Sequence, residues 1–322
     1  MQRRILFGLA AGAIAGRGAL AQDRFPTRGL RVVIPFAAGG STDILGRLCA
    51  QMLTEKLGQT TVAENITGAG GTIGAQRVLD APADGYTLMA GTPGPITINP
   101  HLQPRIPYQP LRDFAPVAFV GDSPAVIVVR RDSPIRTLGD LLTRAKAEPG
   151  KLTYASAGIG SFAHLSGELF KWRAGVDLIH VPYRGTAPAA TDIIGGRVDV
   201  MFENYPSVQG QLNSGELRTL AIGASRRSGL LPGVPTAVEE GVAGYESTSW
   251  FGLFVRAATP PAAIAAMNAA INAGIREPAM TARLAGLGIE PAGGTPDAFR
   301  DYVQRKLDET GQLIRTARIT AE

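Results

Sequence analysis

PFAAGGSTD, Pro35 to Asp43, follows directly on the β-branched run Val32-Val33-Ile34 and precedes an amphipathic stretch with Ile44, Leu45, Leu48, Cys49, Met52 and Leu53 on one face. The run reads as a strand that ends at a proline, turns through Gly39 and Gly40 and enters a helix at Ser41, Thr42 and Asp43. Strand, glycine turn and polar helix start together gather free backbone N–H groups at the positive end of a helix dipole, an arrangement that suits an anion. Working outward, the helix spans Asp43 to Leu57 and stops at Gly58. A second cup of the same design, ASAGIGSF (Ala155 to Phe162), stands about 120 residues further on. Two such cups facing each other would hold a small acid.

The alternation of strand and helix continues along most of the chain and predicts α/β architecture with mostly parallel sheets. Strands are expected at Thr61–Ala63, Thr87–Ala90, Ala125–Val129, Leu152–Tyr154, Leu178–Val181, Val198–Phe202, Thr219–Ile222 and Phe251–Val255. GAGGTIGA (Gly68 to Ala75) opens a helix. Thr137 and Asp140 form a capping box for a helix over Leu138–Ala147. Further helices are expected at Phe162–Trp172, after Thr186, and in three stretches that end the chain. Pro93 to Pro116 is read as an irregular wrap on the surface, because prolines break regular structure. Two long apolar strands, one leaving the first unit and one returning after the second, predict a discontinuous first lobe (22–125 and 250–322) with a second lobe (126–249) inserted.

Arg3 and Arg4, the apolar Ile5–Ala15 and Ala19-Leu20-Ala21 read as a leader cleaved near Ala21, which predicts export to the periplasm. The adjacent arginines leave the general and twin-arginine routes both open. Of the 322 residues, the first 21 carry three arginines and no acid, so the formal charge falls from +5 to +2 on cleavage. With no basic cluster interleaved with aromatics, nucleic acid is excluded as a partner. Cys49 is the only cysteine, so the chain has no internal disulfide, and its place on an apolar face predicts a buried thiol. Three scattered histidines offer no metal spacing, and GAGGTIGA lacks the lysine of a phosphate loop. No cofactor is expected.

In order along the chain, PFAAGGSTDILGR, ENITGAGGTIGA, APADGYTLMAGT, INP, DFAPV, TYASAGIGSFAHLSGELF, VPYRGTAPAATDIIGGRVDVMF and SWFGLFV resemble the Bug family, the TctC-like extracytoplasmic solute receptors of tripartite tricarboxylate transporters. The resemblance covers essentially all of the chain after its leader. It implies a bilobal periplasmic-binding-protein-like fold of type II, two α/β lobes joined by two crossing strands. It also implies a monomer that captures a small carboxylate, such as a di- or tricarboxylate, an acidic amino acid or an aromatic acid. Such a receptor delivers its cargo to a membrane permease or, in the alternative, informs a sensor kinase. Two departures stand out. Gly94, Pro95, Ile96 and Thr97 occupy the place of a Thr/Ser-His pair, and Glu203 stands where the family often has Asp, a methylene longer.

The expected binding residues are Phe36, Ala38, Gly39, Ser41, Thr42, Asp43, Thr92, Ser156, Gly160, Ser161, His164, Gly185, Thr186 and Glu203. An ordinary capped turn would explain Ser41, Thr42 and Asp43 equally well without the resemblance. Asp43 is better suited to the helix start than to an anion, and Phe36 fits either a cup wall or the core. Arg184 reads equally as a carboxylate fork or a surface residue. Ser161, His164 and Glu168 do not read as a hydrolase triad: positions three and four apart share a helix face without placing a base in line with a nucleophile. No Gly-x-Ser-x-Gly elbow is present. The chain is therefore expected to bind rather than catalyse.

Overall fold

The computed structural model describes residues 25–103 and 105–321. The leader read at residues 1–21 lies outside them. Strand β1 (Leu30–Ile34) leads through the glycine bend into α1 (Ser41–Leu57), whose end is set by Gly58 in the left-handed conformation with its N–H on the Thr54 carbonyl. Strand β2 (Thr61–Asn65), α2 (Thr72–Leu79) and β3 (Thr87–Gly91) complete the first unit, with β2 and β3 parallel to β1 on either side.

The proline-rich stretch departs from the sequence expectation. A helical turn at Gly94–Ile98 runs into α3 (Asn99–Leu102), and α4 (Pro110–Asp113) precedes β4 (Phe114–Arg130). Pro93–Asn99 is buried throughout and so lies in the interior, whereas the later part runs along the surface, with His101, Arg105, Pro107 and Gln109 exposed and Leu102 and Tyr108 turned inward. Its prolines are tolerated because Pro95, Pro100 and Pro110 fall in first helical turns, where the missing N–H has no partner to lose.

Strand β4 is also far longer than the expected Ala125–Val129. Its first part pairs antiparallel with β9 (Thr248–Arg256), from Phe114↔Arg256 to Pro124↔Thr248. Its second part pairs antiparallel with β7 (Val200–Asn204) and β8 (Leu217–Ile222). Between the two passes lie α5 (Leu138–Ala147), β5 (Thr153–Ser156), α6 (Phe162–Ala174), β6 (Ile179–Pro182), α7 (Thr186–Ile194) and α8 (Tyr205–Asn213). The capping box at Thr137 and Asp140 is present as the sequence predicts. After β9, helices α9 (Pro261–Ile275) and α10 (Pro278–Gly286), the short β10 (Glu290–Pro291) and α11 (Pro296–Thr316) return to the first sheet.

Each half of the sheet is covered on both faces. Around the first half, Leu45, Leu48, Met52 and Leu53 of α1 pack with Met267 and Ile271 of α9 on one side. Val78, Trp250, Phe254, Phe299 and Val303 fill the other. Around the second half, Leu138, Leu141, Leu169 and Phe170 pack on one face, and Ala189, Ile193, Tyr205 and Val208 on the opposite one. Cys49 is buried in the first of these cores, and burial pushes its thiol up to about 12. The helices sit where the carboxyl ends of β1, β5 and β7 and the starts of α1, α6 and α7 meet across the gap between halves, the usual binding edge of an α/β sheet. Among the described residues no helix is long and apolar enough to cross a membrane.

Candidate functional site

A narrow cavity of about 30 Å³ lies at that junction, lined from the first half by Phe36, Ala37, Gly40, Ser41, Thr42 and Thr92, with Ser249 from β9. From the second half come Ala157, Ser161, Phe162, Ala163, Thr186, Glu203 and Asn204. The starts of α1, α6 and α7 all contribute to the wall, so three positive dipole ends converge on one space.

The halves also touch directly. The Ser41 N–H donates to Ser207 Oγ at 2.7 Å, and Asn204 Nδ2 donates to Ser41 Oγ at 3.3 Å. A Cβ on Gly185, whose φ is +120°, would come within 2.7 Å of the Ala37 side chain, so glycine is required for this approach. On the other flank, Asn99 Nδ2 donates to the Ala69 and Gly70 carbonyls and to Thr72 Oγ1, fixing the GAGG bend within the first half, and a Cβ on Gly70 would fall 2.6 Å from the Ile159 carbonyl of the second. A Cβ on Gly160 would fall 1.9 Å from Asn99 Oδ1.

Of the residues expected from sequence, Phe36, Ser41, Thr42, Thr92, Ser161, Thr186 and Glu203 line the cavity. Ala38, Gly39, Asp43, Ser156, Gly160, His164 and Gly185 do not. Ala38 and Gly39 are exposed, and the Gly39 N–H is taken by Asp43 Oδ2 at 3.1 Å. Burial raises the Asp43 carboxyl, but hydrogen bonds from Arg47, Asn65 and Gly39 more than offset this and hold it below the usual carboxylate range. Asp43 thus locks the bend. Gly185 faces a neighbouring depression shared with Arg184 and the GAGG bend.

Ser156 and His164 lie behind the second cup. Ser156 Oγ pairs with His180 Nε2 at 2.7 Å and accepts from the Gly158 N–H. His164 stacks on His180 with ring centroids 4.4 Å apart, and its Nδ1 accepts from the Gly160 N–H. Burial, with Lys171 nearby, brings His164 down to about 4; burial and the adjacent His164 do the same to His180. Ser161 Oγ accepts from the His164 N–H as a helix cap, so these two side chains form no nucleophile–base pair.

Among the described residues, Glu203 is the one ionisable side chain in the cavity wall. It is 3 % exposed, and burial pushes its carboxyl up to about 7 despite hydrogen bonds from the Asn204 N–H, Thr186 Oγ1 and Asn204 Nδ2. Residues that sequence reasoning missed are Ala37, Ala157, Phe162 and Ala163 of the cup walls, together with Ser207 and Ser249. Ala37, Ala157, Phe162, Ala163 and Ser249 lie within stretches singled out from the sequence, whereas Ser207 lies outside all of them.

The sequence profile of the family described as tripartite tricarboxylate transporter family receptor matches residues 45–319. Protein BugT of Bordetella pertussis is 37% identical over 305 residues, covering 94% of this chain and 94% of its own length. A solved structure of R. palustris Rpa4515 with adipate superposes with a TM-score of 0.89 at 37% identity, over 92% of this chain and 99% of that one. MatC (Rpa3494) from Rhodopseudomonas palustris, with bound malate, gives 0.86 at 33% identity, over 90% and 100%.

Proposed function

This chain belongs to the tripartite tricarboxylate transporter receptor family, and from that premise we propose that it captures a small carboxylate in the periplasm and presents it to the membrane permease of such a transporter. One observation supports the reading above all others: helix starts from both halves, α1 against α6 and α7, share a single cavity. Pre-aimed N–H dipoles there replace the water around a carboxylate, each charge-assisted contact contributing roughly 1.5–3 kcal/mol. The halves, proposed as lobes 22–125 with 250–322 and 126–249, open on the β4–β9 connection to admit the guest. The closed form is favoured by the guest's contacts with both sides. The permease reads that form.

Adipate and malate, bound in the structures of two relatives, are the first compounds to try. Isothermal titration calorimetry against aliphatic di- and tricarboxylates, acidic amino acids and aromatic acids should yield at least one dissociation constant in the micromolar range or below, about −8 kcal/mol. Silence across the whole panel overturns the reading.

A further inference from the structure

The cavity wall is short of hydrogen-bond donors at one place. Glu203 has no lysine or arginine partner among the described residues; its oxygens are met only by Thr186 Oγ1 and by the backbone and side-chain N–H groups of Asn204. Because Asn204 Nδ2 is directed at Glu203 and Ser41, its Oδ1 points the other way, and that oxygen is buried with no partner. Ser249 Oγ, in the same wall, is likewise buried and unpartnered. An unpaired buried acceptor carries a desolvation penalty that a suitably placed donor removes. A wall with a buried carboxylate and no basic partner for it forms a poor surface for a second bare anion and a good one for a group that gives protons to hydrogen bonds.

Building on the carboxylate reading above, we propose that Glu203 selects guests that bear an ammonium or hydroxyl group beside their carboxylate, the carboxylate taking the helix starts and the donor taking the Glu203 carboxylate. The neighbouring titratable groups do not compete for this role. Asp43 on α1 is held by Arg47 and Asn65, and His164 on α6 is packed on His180. Asp192 on α7 bonds Tyr183 and Arg197, Tyr154 on β5 bonds Glu168, and Asp122 and Arg130 on β4 and Tyr205 on α8 lie outside the cavity wall. At pH 8 the Glu203 carboxyl, raised by burial, is ionised and acts purely as an acceptor.

The test is calorimetry at pH 8 on matched sets: succinate, malate and aspartate; glutarate, 2-hydroxyglutarate and glutamate; phenylacetate, mandelate and phenylglycine. In the set that binds, the hydroxyl or ammonium member should bind about tenfold or more tightly than the plain acid, and the two donor arms show which donor is preferred. Glu203→Gln should erase most of that preference. Equal binding across a set by the unaltered protein overturns the inference and needs no variant. A preference that survives Glu203→Gln overturns it too, by moving selection elsewhere. If no acid of any set binds, it is the carboxylate reading that falls, and this inference with it.

Discussion

Replacing Glu203 by glutamine should make the folded protein more stable, and more so as the pH rises. The carboxyl stands at about 7 in the fold against 4.5 for an ordinary glutamate, because burial penalises the charged form first and the bonds from Asn204 and Thr186 recover only part of that penalty. A native carboxyl with a raised value holds its proton where the unfolded chain has released it. The native state therefore binds more protons between pH 4.5 and 7, and stability falls as pH climbs through that window. At about 1.4 kcal/mol per unit, the loss amounts to about 3 kcal/mol above pH 7. Glutamine keeps the size and a carbonyl acceptor for the Asn204 N–H, and its amide nitrogen can donate to Thr186 Oγ1. The assay is urea unfolding of both proteins from pH 4.5 to 8.5, followed by far-ultraviolet circular dichroism and fluorescence. The difference should be small at pH 4.5, grow through pH 6 and level off above 7.5 at up to about 3 kcal/mol in favour of glutamine. A difference that does not change with pH would refute the account of this carboxyl.

Two further outcomes follow from the same geometry. Gly185→Ala places a methyl against Ala37 in a backbone conformation that only glycine adopts readily, at a cost of order 1–3 kcal/mol; it should weaken binding of the identified guest about tenfold while circular dichroism stays unchanged. An unchanged dissociation constant would show that the halves need not approach there. His164 and His180, both lowered from 6.5 to about 4, bind fewer protons in the fold than in the unfolded chain, so stability should fall as pH drops from 6.5 towards 4. His180→Gln should move the acid-unfolding midpoint, read by near-ultraviolet circular dichroism, to lower pH; a midpoint that stays put or rises contradicts the argument.

Local patterns were legible in the sequence and long-range ones were not. The β1–bend–α1 unit and the Thr137–Asp140 box depend on residues a few positions apart, and both stand where their sequences place them. Pro93 to Pro116 misled because proline forbids a helix interior but not a first turn, and only the fold decides which of these a proline occupies. Strand β4 was read short because Gly121, Asp122 and Pro124 look like an ending; they mark instead where the strand leaves β9 for β7 and β8. In the site, Ser41, Thr42, Ser161 and Thr186 carry the helix-start signature and reach the cavity. Asp43 and His164 share that signature but bond within their own half. Ser207 has no local pattern at all, and its partner is 166 positions away.

The double life of β4 also sets an order of assembly. Pro124 meets Thr248 only after the whole intervening chain has been brought back, and a long unstructured loop makes that meeting entropically expensive. If residues 126–247 condense first, the Ala125 N–H reaches the Ser247 carbonyl and the Gly223 N–H reaches the Ala125 carbonyl, so the distant ends arrive already side by side. The inserted half is then the template on which the outer half nucleates, and amides of β5 and β7 should gain hydrogen-exchange protection during refolding before those of β9. Simultaneous protection in both would mean that the chain solves its topology in another order.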